Sequence, residues 1–184
     1  MVKRCEWAKE EPNISYHDNE WGRPVHNDQK LFEFLILEGA QAGLSWITIL
    51  KRRQGYVEAF SNFDPKKVSH FNQKKIDKLL KDESIIRNRL KINSAVNNAE
   101  QFLKVQQEFE TFDKYIWKFV DHHPIKNNFK KISDLPASTY ISERMSKDLK
   151  KRGFNFVGPT ICYAFMQAIG MVNDHTVDCF RHGK

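Results

Sequence analysis

Four potential metal ligands lie at the two ends of the chain. Cys5 and His17 are near the N-terminus, and His175 and Cys179 are near the C-terminus. The His-x3-Cys spacing of the second pair places both side chains on one face of a helical turn. Two thiolates and two imidazoles are the ligands of a closed, structural zinc site. The spacing also fits a chance pairing beside an ordinary free thiol at Cys5.

A carboxylate and several aromatic side chains occur in two unusually polar-aromatic segments, at 16–22 and 37–46. Glu38 ends an apolar run and is followed by small residues. Such a carboxylate either marks a solvated helix end or is the polar group of an apolar pocket with aromatic walls. Tyr16 and Trp46 are the candidate walls.

A glycine-bounded turn near the C-terminus is a candidate DNA contact. Gly153 and Gly158 enclose a short turn that follows the basic residues Lys151 and Arg152, and Pro159 begins the next helical segment. Exposed amides at a helix start can donate to a phosphate oxygen. The pattern indicates a helix-hairpin-helix, which grips the DNA backbone without reading sequence. Ordinary helix capping with solvated lysines explains the same residues equally well.

The elements that must position these residues are predicted to be helical, because apolar positions recur with helical spacing and no alternating strand appears. The predicted helical segments are 31–36 with Asp28 as its cap, 44–50, one beginning at Asp64-Pro65, 73–80, 85–109, 112–120, 138–152 and 156–170. The polar segment 122–136 is predicted to be a loop. We therefore expect an all-α fold with residues 1–184 in a single compact domain.

The excess of basic side chains indicates what kind of partner the protein binds. The 30 basic and 23 acidic side chains give a net charge of +7, which favours a polyanion such as nucleic acid. Three cysteines do not suggest a disulfide framework, and Cys162 is expected to pack in the core. No signal peptide or membrane-spanning run is apparent, so we expect a cytoplasmic protein without a membrane partner.

Taken together, the motifs resemble the bacterial 3-methyladenine DNA glycosylase I family over essentially the whole chain. The matching stretches are Cys5 with Trp7, 16–22, 37–38, 41–48, 85–89, 91–92, 98–99, 150–154, 156–158, 165–168 and 172–175. The resemblance implies an all-α, helix-hairpin-helix DNA glycosylase fold with zinc-tethered termini. It assigns one structural Zn²⁺ per chain to Cys5, His17, His175 and Cys179.

The resemblance also implies residue roles. Glu38 is the expected catalytic group, in a substrate pocket with Tyr16, Trp46, Trp21 and Trp7. The expected DNA contacts are Gln41, Gly43 and Leu44, which fill the gap left by a flipped base, and Lys151, Arg152, Gly153 and Gly158 of the hairpin.

The implied reaction is hydrolysis of the N-glycosidic bond of 3-methyladenine in double-stranded alkylated DNA, with the free base as product. Related glycosylases usually have an aspartate after the hairpin, but Ile161-Cys162-Tyr163 directly follow Thr160 and do not clearly supply it. No lysine is evidently placed for Schiff-base chemistry. We therefore predict a monofunctional enzyme that acts as a monomer.

One position departs from the family pattern, and two other functions remain open. Asn13 stands where the family commonly has a tyrosine, so one aromatic wall is missing or comes from elsewhere. A non-enzymatic, zinc-stabilised helix-hairpin-helix DNA-binding module would leave Glu38, Tyr16 and Trp46 unused. A metalloenzyme with a catalytic zinc would need an open coordination position, which four protein ligands do not leave.

Overall fold

The computed structural model describes residues 2–183, and the fold is mostly helical, as the periodicity predicts. The α-helices are α1 Asn13–Asn19, α2 Asp28–Gln41, α3 Trp46–Leu50, α4 Arg53–Ala59, α5 Pro65–Val68, α6 Gln73–Leu79, α7 Arg89–Phe109, α8 Phe112–Trp117, α9 Tyr140–Lys151 and α10 Pro159–Ala168. Short 3₁₀ turns lie at Ser61–Phe63, Lys118–Val120 and Ile132–Asp134. Within the described range no helix has the length and apolarity needed to cross a membrane.

Helix α2 forms the centre of the molecule. Its residues 31–40 are all buried, and α3, α7, α8 and α10 pack around it. A helix that is apolar on nearly every side is stable only when neighbours cover all of its faces. The buried position also encloses two carboxylates of the same helix, Glu33 and Glu38.

The start of α2 differs from the predicted one. Asn27, not Asp28, caps the helix and accepts from Lys30 N at 3.0 Å. The Asp28 carboxylate instead accepts from the amides of Phe112 and Asp113, at 2.8 and 2.9 Å. Asp28 therefore satisfies free amides at the start of a different helix, α8, which no local sequence pattern can reveal.

Two further boundaries are corrected. Helix α7 begins at Arg89 rather than at residue 85, because Asn88 caps it by accepting from Lys91 N at 3.1 Å. Helix α10 begins at Pro159 rather than at residue 156, because Gly158 is extended and Pro159 occupies the first turn.

The predicted loop at 122–136 contains a short strand. Strand β1 (Ile125–Lys126) pairs in parallel with β2 (Val172–Asn173), with Ile125 opposite Val172. Strands of two residues have no detectable alternation, so the prediction that strands are absent was wrong at this point. The pairing fixes the chain just before His175.

Candidate active site

A cavity of about 370 Å³ lies between the N-terminal segment, α2, α3 and α10. Its lining residues are Trp7, Asn13, Tyr16, Trp21, Glu38, Gln41, Ser45, Trp46, Ile47, Ile132, Leu135, Ala164 and Gln167. The structure thus brings together all five predicted catalytic and substrate residues, with Gln41 of the predicted DNA loop. Ile132 and Leu135, on and beside a 3₁₀ turn, and Gln167, on α10, were not predicted.

Four aromatic rings form a continuous wall of this cavity. Tyr16 and Trp46 have ring centroids 5.3 Å apart, inclined by 54°. Trp7 and Trp21 meet edge to face at 5.1 Å, and Trp7 lies 6.2 Å from Tyr16. Such a wall presents π faces and edges to a flat ligand, and π faces attract cations.

The Glu38 carboxyl group lies in this aromatic cavity with only 4% of the residue exposed. Its Oε2 atom has no hydrogen-bond partner among the described residues. Burial raises the pKa of Glu38 to about 8, because no nearby charge or donor compensates the lost hydration. Burial therefore favours a neutral Glu38 at pH 7, and a cation bound in the cavity would favour the carboxylate.

The loop that follows α2 lies beside the cavity. Gly43 has φ +77°, a left-handed conformation that favours glycine, and Leu44 is 38% exposed. From α7, Lys91 Nζ donates to the carbonyl oxygens of Ala40 and Ala42, both at 2.7 Å. Lys91 therefore fixes the end of α2 from which the loop projects.

The turn between α9 and α10 is held by amide side chains of α7. Asn98 is 3% exposed and exchanges two hydrogen bonds with the backbone of Asn155, at 2.8 and 2.9 Å. Asn97 Nδ2 donates to Gly153 O at 2.8 Å, and Gly153 has φ +89°. Three of the turn's backbone groups are thereby directed toward α7.

The predicted DNA contacts of this turn have different surroundings. Lys151 is exposed. Arg152 binds the carboxylates of Glu108 and Asp148, with closest approaches of 2.7 and 3.0 Å. Gly158 begins α10 without a side-chain cap. The Arg152 guanidinium is thus directed toward acidic side chains of its own chain.

Three of the four predicted metal ligands form one buried cluster. The ligand atoms of Cys5, His17 and Cys179 all lie within 4.8 Å of one another. His17 Nε2 lies 3.4 Å from Cys179 Sγ, and His17 Nδ1 lies 2.8 Å from Asp18 Oδ1. Arg4 binds the same Asp18 carboxylate through two nitrogens. This cluster could hold a metal ion.

His175 lies beside the cluster, although it is not one of the three grouped residues. Its ring is 4.8 Å from that of His17. Its Nδ1 atom lies 2.8 Å from Asn173 Oδ1, whereas its buried Nε2 atom has no partner among the described residues.

Two tryptophans connect the cluster to the cavity. Trp7 and Trp21 both line the cavity, and their rings lie 5.3 and 6.2 Å from that of His17. Trp21 also meets His175 edge to face at 4.6 Å. The cluster therefore lies directly behind the aromatic wall.

The buried carboxylate nearest in sequence to the cluster is Asp174, and it is fully engaged in hydrogen bonds. Tyr163 and Gln167 donate to its Oδ2 atom at 2.5 and 2.8 Å, and Asn127 donates to Oδ1 at 2.7 Å. These bonds fix Asp174 as an anchor between α10 and the segment around β1 and β2.

Comparisons with known proteins agree with this geometry. A model of the methyladenine glycosylase family matches residues 7–182. DNA-3-methyladenine glycosylase 1 of Escherichia coli K12 is 49% identical over 179 residues, which is 97% of this chain and 96% of the relative. A crystal structure of 3-methyladenine DNA glycosylase I has a TM-score of 0.95 at 47% identity, covering 98% of this chain and 100% of that one. A single-residue variant of 3-methyladenine DNA glycosylase I, in complex with 3-methyladenine, has a TM-score of 0.95 at 36% identity and covers 98% of each chain. The chain belongs to the methyladenine glycosylase family.

Proposed function

We propose that this protein is a DNA glycosylase that hydrolyses the N-glycosidic bond of 3-methyladenine in alkylated DNA, the first step of base excision repair. The observation that carries the proposal is an aromatic cavity lined by a buried carboxyl group, Glu38, whose Oε2 atom has no hydrogen-bond partner among the described residues. Family membership and the complex of a relative with 3-methyladenine support it.

The methylated base has a positive charge and an exocyclic amine, and the residues of this cavity can bind both. A base inside a duplex must first be flipped out of the stack. Methylation at N3 makes the adenine cationic in DNA, and the faces of Tyr16 and Trp46 attract such a cation by up to about 2 kcal/mol when it is desolvated. The cation also favours the ionised form of Glu38, which accepts a hydrogen bond from the exocyclic amine.

Bond cleavage follows from the charge of the lesion. The glycosidic bond breaks with its electron pair moving onto the cationic base, which leaves as neutral 3-methyladenine. Water adds to C1′ of the sugar and loses a proton to solvent. Glu38 stabilises the positive charge near the sugar and base as the bond breaks.

The proposed enzyme is monofunctional and leaves the DNA strand intact. None of the cavity-lining residues in the described part of the chain is a lysine, the residue that would form a Schiff base. Asp174 is held by three donors and is not placed to activate water.

Two surface elements are proposed to hold the duplex. The turn between α9 and α10 acts as a helix-hairpin-helix, in which Gly158 and the uncapped start of α10 donate to a phosphate. Lys151 and Gly153 extend this phosphate contact. Arg152 can bind a phosphate only when its ion pairs with Glu108 and Asp148 are broken. The loop of Gln41, Gly43 and Leu44 fills the space left by the flipped base.

A structural zinc ion is proposed for the buried cluster. His17 Nδ1 faces a carboxylate and His175 Nδ1 faces an amide oxygen, so both rings are held with Nδ1 as donor and Nε2 as the nitrogen that can bind metal. His17 Nε2 lies 3.4 Å from both Cys5 N and Cys179 Sγ. The unpartnered Nε2 of His175 supports its role as fourth ligand beside Cys5, His17 and Cys179. Four protein ligands leave no open position, so the ion would stabilise the termini and the aromatic wall.

The test is release of free base from duplex DNA treated with a methylating agent, measured chromatographically in the absence of added metal. We expect release of 3-methyladenine, intact strands, and much slower release by Glu38→Gln at unchanged DNA affinity. DNA binding without base release would instead identify a non-enzymatic binding module. Size-exclusion chromatography should give a monomer, and the proposed setting is the bacterial cytoplasm.

A further inference from the structure

The residues that line the cavity carry more unpaired polar atoms than the proposed chemistry of Glu38 uses. Within residues 2–183, five buried side-chain polar atoms have no hydrogen-bond partner, and three of them belong to residues that line this cavity. These are Glu38 Oε2, Trp46 Nε1 and Asn13 Oδ1. Since buried polar atoms are nearly always paired in folded proteins, a ligand that pairs all three is the simplest explanation.

The orientation of the Asn13 amide determines which atom is offered. Asn13 Nδ2 lies 3.5 Å from the backbone carbonyl oxygen of Trp7, so the amide nitrogen faces an acceptor. The reversed amide would place two oxygens against each other. Asn13 therefore presents Oδ1 as the unpaired atom, and it is an acceptor.

The three atoms define a pattern that a ligand must match. Glu38 and Asn13 offer acceptors, whereas Trp46 Nε1 offers a donor. An adenine carries two N–H donors on one exocyclic amine, and ring nitrogens with acceptor lone pairs lie on either side. A guanine has a carbonyl oxygen at the position of that amine, which two acceptors would repel.

We propose that Asn13 is a specificity-determining residue that accepts the second hydrogen of the exocyclic amine and thereby selects methylated adenine over methylated guanine. The inference rests on the proposed glycosylase function and adds a residue that recognises the hydrogen-bonding edge of the base. Glu38 accepts one hydrogen of this amine and also responds to the charge that both lesions share, whereas the uncharged Asn13 oxygen responds to the amine alone.

The test uses one duplex DNA sample, treated with a methylating agent so that it contains both 3-methyladenine and 3-methylguanine. Both free bases are measured from the same reaction with wild-type protein, Asn13→Leu and Asn13→Ala. Leucine is similar in size and has no acceptor, and alanine guards against a steric effect of leucine. Thermal unfolding of each variant is measured in parallel.

We expect Asn13→Leu and Asn13→Ala to release 3-methyladenine about tenfold more slowly, as for the loss of one partner of a buried hydrogen bond. Release of 3-methylguanine should be unchanged or faster, so the ratio of the two rates falls about tenfold or more.

Parallel losses for both bases would overturn the proposal, because they would make Asn13 a shape-forming residue only. Failure of the wild-type protein to release either base would instead contradict the proposed function itself.

Discussion

The buried carboxyl group of Glu38 should make the stability of the protein depend on pH. The pKa of this group is about 8 in the folded protein, against an ordinary value of 4.5. Below pH 4.5 both the folded and the unfolded chain hold the proton, so Glu38 does not affect stability. Above pH 4.5 the unfolded chain loses the proton first, and the free energy of unfolding falls until the pH passes about 8.

The size of the effect follows from the two pKa values. The loss of stability from Glu38 is about 1 kcal/mol at pH 5, about 3 kcal/mol at pH 7 and about 5 kcal/mol at pH 9. Glutamine has nearly the same shape and does not ionise. Glu38→Gln should therefore become more stable relative to the wild type as the pH rises, by about 4 kcal/mol between pH 5 and pH 9.

Urea unfolding of both proteins at pH 5, 7 and 9 measures this difference. Glu100→Gln, which removes a carboxylate from an exposed position on α7, serves as the matched control. A stability difference between Glu38→Gln and wild type that does not change with pH would refute the reasoning. It would mean that water or a mobile cation reaches the carboxylate in the free protein.

Three further outcomes test the other parts of the site. Asp18→Ala removes the acceptor that orients His17 and should weaken zinc binding by about 10- to 100-fold, measured by competition with a chromophoric chelator; unchanged affinity would remove Asp18 from the metal site. Asn98→Ala removes the two hydrogen bonds to Asn155 and should weaken duplex binding about tenfold. Binding of free 3-methyladenine, measured by tryptophan fluorescence, should be unchanged. Equal losses in both assays would indicate general unfolding. Lys151→Gln should reduce the magnitude of the slope of log K for DNA binding against log salt concentration by about 0.9. Lys74→Gln, on α6, is the control. A slope equal to that of the wild type would exclude a phosphate contact of Lys151.

Much of the fold could be predicted because its helices carry their own periodic signal. The long helix α7 and the basic helix α9 each follow an apolar stripe. The helix predicted to begin at Asp64-Pro65 does begin there, because Asp64 accepts from the amides of Lys66 and Lys67. Asp28 marks the limit of such local patterns. Its carboxylate does cap a helix, but the helix is α8, and only the folded chain brings the two together.

The side of the cavity formed by Glu38 and Trp46 could be predicted from the sequence, whereas the side formed by Ile132 and Leu135 could not. Glu38 and Trp46 stand out in sequence because a carboxylate and an indole flank a run of small residues. Ile132 and Leu135 come from a polar segment without periodicity. That segment follows β1, whose two-residue pairing with β2 has no sequence signature.

The cluster of Cys5, His17 and Cys179 lies directly behind the cavity. Trp7 and Trp21 contact the His17 ring and also line the cavity, so the position of the cluster bears on the aromatic wall. A change in the cluster would therefore displace Trp7 and Trp21, which contact the His17 ring, more than Glu38, which lies on α2. Loss of the proposed zinc ion should accordingly weaken binding of the base more than it changes the pH dependence set by Glu38, because burial within the helical core raises the pKa of that carboxyl group.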